Sequence, residues 1–493
     1  MIKTNGKHNA LFFGLALVLG FFTSCASTSG TGKKIKYNEA AYRQAMMDCD
    51  YITAYSMLNS INQKKITIAQ QIDKGVLEYY LGDYTAANET FKVTLQRIDD
   101  AQINQNEMED KVGSASSFYI PPFYETLLAD TFDALTYYRN GDLDSAMSRT
   151  TRAYNKLDAY NVSEIRQEIS EPEEAVINEN TKNVFVQALA AVGIPGATAL
   201  QFIMQFQNIH LPKAPTENDI YKGSAFAAYI RMLITAINNS ERDENVEKIL
   251  KQLAKGVETD AAGISNSPNG RIEVLALSGS INQKQDEVIF IDAESLVRAI
   301  AEIYAATQGL DSYVITRLLT AADGQMGYNI HYPKYVRQEP PSPVARKITL
   351  SDGTTKEPVL LEDFDLAVLQ DVNMTARKTV KRNLAVDLSA KTPLFASQTA
   401  TYMMTAKQVS GNPMADILLV AAMKGFVEAF ANVDPKADLR QSMALPSKAY
   451  CAGFTVAPGI YSVTVEYDNG SVETIDNVVV QAGKPVLVES VCK

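Results

Sequence analysis

Hydrophobic and polar positions recur with a helical period over the first part of the chain, and three segments there share one pattern. A small residue and an Asp precede a Tyr or Leu, an Ala follows three residues later, and another side chain comes four residues after that. The segments are Cys49-Asp50-Tyr51-x2-Ala54-x3-Leu58, Gly82-Asp83-Tyr84-x2-Ala87-x3-Phe91 and Gly141-Asp142-Leu143-x2-Ala146-x3-Thr150. A small residue that closes a helix and an Ala that lets two helices approach are typical of helical hairpins. The pattern predicts three hairpins within residues 37–160, with an insertion at 101–125.

The spacing of these segments resembles that of tetratricopeptide repeats. Tyr51 and Tyr84 are 33 residues apart, which is close to the repeat length of about 34 residues. Stacked repeats of this kind leave a concave face, and their usual role is to bind a peptide or a partner protein. We therefore expect an N-terminal α-solenoid of this type that binds a partner.

The insertion ends in a cluster of aromatic and proline residues, Ser117-Phe118-Tyr119-Ile120-Pro121-Pro122-Phe123-Tyr124-Glu125. The cluster is either a contact surface or a loop that crosses over the helices. If it is a contact surface, the residues expected to bind a partner are Tyr84, Phe118 and Tyr119.

The helical pattern continues through residues 161–265 and contains one long uncharged run, Val184 to Phe206. This run is either a membrane span or two buried helices. Gly193-Ile194-Pro195-Gly196 interrupts it midway, and its glutamines would be costly in lipid. We therefore predict two buried helices here.

After Asn269-Gly270 the hydrophobic period changes to two, which indicates β-strands. Residues 271–277 and 287–291 read as paired strands around a turn at Gly279, and further strands are predicted at 328–336 and 344–350. This β/mixed region is expected at 266–360 and is followed by a helical segment at 361–448. Asp468-Asn469-Gly470, a strong hairpin turn, lies within a small antiparallel β domain predicted at 449–493. The fold class is therefore α+β, with several domains.

The N-terminus is typical of an exported lipoprotein. Lys3 and Lys7 precede an apolar run from Leu11 to Phe22 that is too short to span a bilayer. Thr23-Ser24-Cys25 then looks like a lipobox, which predicts a signal peptide at 1–24, acylation of Cys25, with palmitate for example, and a polar tether at 25–36. The alternative is an ordinary secretory signal with a Cys by chance. Because Ala26 is not acidic, we expect the outer membrane of the cell envelope.

Composition and charge argue against several classes of function. The formal net charge of −11 disfavours nucleic acid as a partner. His210 and His331 lie near no nucleophile motif, and the sequence has neither a phosphate-binding Gly-rich loop nor metal-ligand spacing. Acidic pairs such as Asp99-Asp100 suit glycan hydrolysis, but they are more typical of a solvated surface. We therefore expect no catalysis, no cofactor and no metal.

Two pairs of residues are candidates for structural roles. Cys451 and Cys492 bracket the C-terminal β segment, and outside the cytoplasm they are expected to form a disulfide. The alternative is two unrelated thiols. Asp438 and Arg440 are expected to form a buried ion pair that holds the last helix against the β domain, rather than to bind a ligand.

Three groups of residues resemble an uncharacterised family of bacterial tetratricopeptide-repeat-containing envelope lipoproteins. They are Tyr124-Glu125 with Gly141-Asp142-x3-Ala146, Gly270-x6-Leu277-x-Gly279, and Ala437-Asp438-Leu439-Arg440-x4-Leu445-Pro446 before Pro458-Gly459-x-Tyr461. The resemblance implies helical repeats and β modules, and a partner in envelope assembly such as small lipoproteins that resemble activators of penicillin-binding proteins. We expect a lipid-anchored scaffold that binds another envelope protein. The alternative is a glycan-contacting or glycan-processing lipoprotein that uses its β modules.

Overall fold

Helices from the first half of the chain pack against a sheet whose strands come from the second half. A computed structural model describes residues 35–108, 119–160, 216–218, 220–292, 327–380 and 436–491, with single positions between 162 and 187. It contains both helices and sheets, which confirms the predicted α+β class.

The helices of the described residues begin and end as follows. They are α1 (Glu39–Met47), α2 (Tyr51–Asn59), α3 (Ile68–Tyr80), α4 (Tyr84–Met108), α5 (Phe123–Arg139), α6 (Leu143–Asp158), α7 (Ala225–Ile237) and α8 (Glu244–Leu253). A further helix, α9, begins at residue 364 and is described as far as residue 380. A 3-10 helix spans Asp260–Asn266. The strands are β1 (Gly270–Ser278), β2 (Gln283–Asp292), β3 (Gly327–Val336), β4 (Ala345–Leu350), β5 (Thr355–Lys356), β6 (Val359–Asp363), β7 (Lys448–Val456), β8 (Gly459–Tyr467), β9 (Val472–Val480) and β10 (Pro485–Val491).

The first six helices form three consecutive hairpins whose turns have the same geometry. The second residue after the first helix has a positive φ in each: Cys49 (55°), Gly82 (81°) and Gly141 (80°). The next residue, Asp50, Asp83 or Asp142, donates its N–H to the carbonyl five residues earlier, which satisfies a free end of the helix. The carboxylate of the same Asp accepts the N–H three residues later at 3.0–3.1 Å and so caps the second helix. One Asp therefore ends one helix and starts the next.

Two four-stranded sheets form a sandwich. Sheet I has the strand order β10-β1-β7-β6, with β1 parallel to β10 and antiparallel to β7, and sheet II has the order β5-β4-β8-β9. Strand β1 is buried along its whole length because both of its faces are covered. Ile272 and Val274 pack in the sandwich core, whereas Leu275 and Leu277 pack against the helices.

The two predicted β regions are therefore one sandwich rather than separate units. Strands from 266–360 and from 449–493 share both sheets. The predicted pairing of 271–277 with 287–291 is wrong, because β1 pairs with β7 and β10 while β2 pairs with β3. The hairpin at Asp468-Asn469-Gly470 is confirmed as the β8–β9 connection, and Gly470 has a φ of 86° there.

The candidate partner-binding groove

The inner face of the helical hairpins holds a segment of the same chain. Residues 441–447, the inner segment, have no regular helix or strand and are buried throughout. The carboxylate of Asp73 in α3 accepts the N–H groups of Met443 and Ala444 at 2.7 and 2.8 Å, and also the hydroxyl of Ser442. Its other oxygen accepts the hydroxyl of Tyr42 at 3.0 Å. One buried carboxylate therefore fixes the main chain of the inner segment.

A second buried carboxylate, Glu125 in α5, holds the same segment. It accepts the N–H of Ser442 at 2.7 Å and the hydroxyl of Tyr119 at 2.6 Å. Burial raises the pKa of Glu125 to about 7 and that of Asp73 to about 6, although their hydrogen bonds act in the opposite direction. The helical layer thus binds polypeptide with acidic groups that have been taken out of water.

Other tyrosines and carboxylates join the helices to the strands. The hydroxyl of Tyr229 in α7 donates to Glu273 in β1 at 2.7 Å. The hydroxyl of Tyr79 donates to Glu489 in β10 at 2.6 Å, and the Arg139 guanidinium pairs with the same carboxylate. The chain's own strands and inner segment therefore cover much of the inner face of the hairpins.

The residues predicted to bind a partner lie against this same chain. Tyr119 is only 8% exposed, donates to Glu125, and carries the Arg440 guanidinium 5.1 Å from its ring centre. Tyr84 is half-buried and packs on Tyr79, with ring centres 5.3 Å apart. Phe118 lies outside the described residues. Tyr84 and Tyr119 thus have contacts within the chain, and a partner surface must be sought beside them.

Asp438 and Arg440 do form an ion pair, but it is not buried. The guanidinium donates to the carboxylate from Nε at 2.8 Å and from Nη2 at 2.6 Å. The two side chains remain 51% and 32% exposed, because the pair is made within two residues at the surface and not between elements. The expectation of a buried pin is therefore wrong, and a pair of this kind contributes about 0–1 kcal/mol.

An open groove of about 380 Å³ adjoins the inner segment. One side is formed by the start of α1 and the start of α3, and the other by residues 436–441. Its charged and polar lining consists of Tyr37, Glu39, Arg43, Thr67, Gln70, Asp286, Lys436, Asp438, Arg440 and Gln441. Since both positive and negative groups line it, the groove suits a polar polypeptide segment more than a ligand of one charge sign.

The predicted disulfide gains no support. Cys451 is a free, buried thiol whose pKa is raised by burial. It faces Leu275 of β1, and Glu489 of β10 faces Leu275 from the other side. Strand β1 thus lies between Cys451 and β10, the strand that precedes Cys492. Cys492 itself lies outside the described residues.

Other predictions fall outside the described part of the chain, namely acylation at Cys25, the paired helices at 184–206 and His210. His331 is exposed to solvent in part and lies 2.8 Å from Asp286. Within the described ranges no helix has the length and apolarity needed to cross a membrane. In the same ranges no three His, Cys, Asp or Glu side chains come together as metal ligands.

The sequence pattern did not lead us to predict a role for Asp73 and Glu125, the acidic residues that hold the inner segment. Asp73 lies on the same helix face as Ala69, Ile72 and Val76, which are all buried. A carboxylate on an otherwise apolar face is costly unless it is hydrogen-bonded, and that mismatch is the signal that could have identified it.

No protein-family model, curated protein or solved structure matches this chain.

Proposed function

We propose that the protein is a lipid-anchored scaffold of the cell envelope that binds a polypeptide segment of another envelope protein in the groove beside the inner segment. The observation that carries the proposal is the binding of the inner segment itself. Asp73 and Glu125 already hold a main-chain stretch through its N–H groups, with one further contact from the Ser442 hydroxyl. The helical hairpins therefore bind polypeptide mainly through its main chain. The groove continues this surface. The resemblance of the hairpins to tetratricopeptide repeats supports the same class of function.

The walls of the groove are organised before any partner binds. Arg43 is held by an ion pair with Glu39 at 2.6 Å and by a hydrogen bond to Gln283 of β2. Thr67 and Gln70 cap α3 reciprocally. Because these side chains are already ordered, a partner loses less conformational entropy when it binds. The groove therefore favours specific recognition over adaptive contact.

The proposed anchor would keep this groove near the membrane. Acylation at Cys25 places the lipid 12 residues before Tyr37, which lines the groove. A chain of that length spans at most about 40 Å. A partner in the same membrane, or one close to it, would therefore be within reach. We assign the outer membrane on the basis of Ala26, and the proposed role includes no catalytic step.

Site-specific photo-crosslinking in intact envelopes tests this proposal. A photoreactive residue replaces Glu39 at the groove. In a matched control it replaces Glu89, which is exposed on α4 and does not line the groove. We expect one discrete envelope protein to be crosslinked at position 39 and not at position 89. Arg43→Glu should abolish that product, whereas Lys92→Glu should leave it unchanged. Equal products at both positions, or a product insensitive to Arg43→Glu, would contradict the proposed groove.

A further inference from the structure

A second cavity, of about 270 Å³, has aromatic walls. It lies where the start of α5 meets α9 and the loop before α7. Phe123 and Tyr160 stack with ring centres 4.2 Å apart and planes inclined by 21°, and Tyr221 stands at 67° to Tyr160. Phe123 belongs to the aromatic and proline cluster at 117–125, so the described part of that cluster forms a wall of this cavity.

Hydrogen bonds fix the walls of the cavity in the absence of any ligand. Gln370 of α9 donates from Nε2 to the Tyr160 hydroxyl at 2.7 Å and accepts the Tyr221 N–H at 2.8 Å. The Tyr160 hydroxyl donates to the Tyr221 carbonyl at 3.1 Å, and the Tyr221 hydroxyl donates to Glu362 at 2.7 Å. The rings are therefore held at fixed angles, which lowers the entropic cost of binding.

The charges around the cavity nearly cancel. Asp371 lines it, but one of its oxygens accepts a hydrogen bond at 2.9 Å from the buried ammonium of Lys284. Lys378 lies exposed at the rim and also has an interaction within the chain. A charged ligand of either sign would therefore meet no unmatched counter-charge among the residues that line the cavity. The ligand that fits is neutral, with an apolar face for the rings and hydroxyl groups for Asp371.

We infer that this cavity binds one ring of a neutral saccharide. A pyranose ring has C–H groups on one face that pack on aromatic rings, and hydroxyls at its edge that donate to carboxylates. The volume is close to the lower end of the range for ligand pockets, about 300 Å³, which suits a single sugar unit at the end or in the middle of a glycan. The site lies among helices and not in the β modules, and it is separate from the groove proposed for the protein partner.

Calorimetric titration of the full chain with N,N′-diacetylchitobiose and with maltose tests the inference. Both sugars are neutral, but only the first has N-acetyl groups, so the pair distinguishes an N-acetylated amino-sugar polymer from a hexose polymer. We expect saturable binding of at least one of them with a Kd in the range of about 0.1–1 mM. Phe123→Leu keeps an apolar side chain but removes the ring, and should weaken binding by about tenfold. Met374→Phe narrows the cavity from its rim and should do the same.

Two controls separate the saccharide site from other effects. Tyr461→Leu removes an aromatic ring from β8 on the sandwich, and Arg43→Glu disrupts the groove; both should bind sugar as the wild type does. Thermal unfolding of each variant checks that the fold is retained. The inference is overturned if neither sugar binds saturably below about 10 mM, if choline binds at the aromatic walls instead, or if folded Phe123→Leu and Met374→Phe bind sugar with unchanged affinity.

Discussion

The two faces of sheet I are packed by different means. Toward sheet II, strands β1, β7 and β10 contribute apolar side chains to the core, such as Ile272, Val274 and Phe454. Toward the helices, apolar and charged residues share the face, and Glu273 and Glu489 accept hydrogen bonds from tyrosines of α7 and α3. The inner segment beside the sheet is held in the same way by Asp73 and Glu125.

The two kinds of packing have different consequences: apolar contacts mainly stabilise the fold, whereas buried carboxylates select one arrangement of the chain. Burial of apolar groups is non-directional and tolerates many arrangements of similar volume. A buried carboxylate is costly unless its donors are in place, so it favours one position of the segment that it binds. We infer that apolar burial, among the helices and in the sandwich core, contributes most of the folding free energy, and that the carboxylates determine where the inner segment lies on the helices.

The largest expected effect comes from Asp73→Ala. The substitution leaves the N–H groups of Met443 and Ala444 and the hydroxyl of Ser442 buried without an acceptor, at about 1–3 kcal/mol for each group. We expect a loss of about 4 kcal/mol in the free energy of unfolding, measured with urea.

The matched control on the other face is Val463→Ala in β8, whose side chain is fully buried in the sandwich core. It removes apolar volume and leaves every hydrogen bond intact, so it should cost about 2–3 kcal/mol. If Asp73→Ala costs less than Val463→Ala, the carboxylates do not hold the inner segment as strongly as we argue.

The second effect is a dependence of stability on pH that arises on the helix-facing side only. Burial raises the pKa of Glu125 and Glu362 to about 7, whereas an unfolded Glu titrates near about 4.3. Between these values the folded chain binds more protons, so stability is greatest at low pH and falls as the pH rises through about 7. We expect the free energy of unfolding to decrease between pH 5 and pH 8 by about 2 kcal/mol for each of these two groups.

Glu362→Gln should reduce this slope, because an amide does not titrate. Val463→Ala should leave the slope unchanged, since the core around it contains no carboxylate with a raised pKa among those described here. Glu362 accepts hydrogen bonds from Tyr221, Ser224 and the Phe226 N–H. A melting temperature that is constant or higher at pH 8 would mean that these bonds lower the pKa of Glu362 more than burial raises it.

The parts of this fold that the sequence predicted are local. The three hairpin turns and the turn at Asp468-Asn469-Gly470 depend on residues within one turn of each other, and short-range chemistry such as a positive φ or a helix cap leaves a pattern there. The parallel pairing of β1 with β10 joins residues more than 200 positions apart, and hydrophobic alternation does not say which strand is the neighbour.

The site was harder to predict for a related reason. Tyr84 and Tyr119 were predicted to face a partner, yet Tyr84 packs on Tyr79 and Tyr119 lies under Arg440, which comes from the far end of the chain. The groove likewise joins α1 and α3 to residues 436–441. Only the charged residues on apolar helix faces, such as Asp73, could have indicated that the inner face is occupied.

The smallest expected effect tests the helical layer by itself. Cys49 has a φ of 55° at the turn where the other two hairpins have Gly82 and Gly141, and a side chain in this conformation costs about 1 kcal/mol. Cys49→Gly should therefore raise the free energy of unfolding by about 0.5 kcal/mol. The gain is smaller than the strain because removal of the half-buried side chain also loses packing.

Gly82→Ala should lower the free energy of unfolding by about 1 kcal/mol, since a Cβ there meets no neighbour within 4 Å and only the backbone is strained. Neither residue touches a buried carboxylate of the interface, so both changes should be the same at pH 5 and pH 8. A gain from Cys49→Gly that varied with pH would show that the hairpin turns and the carboxylate contacts are energetically coupled.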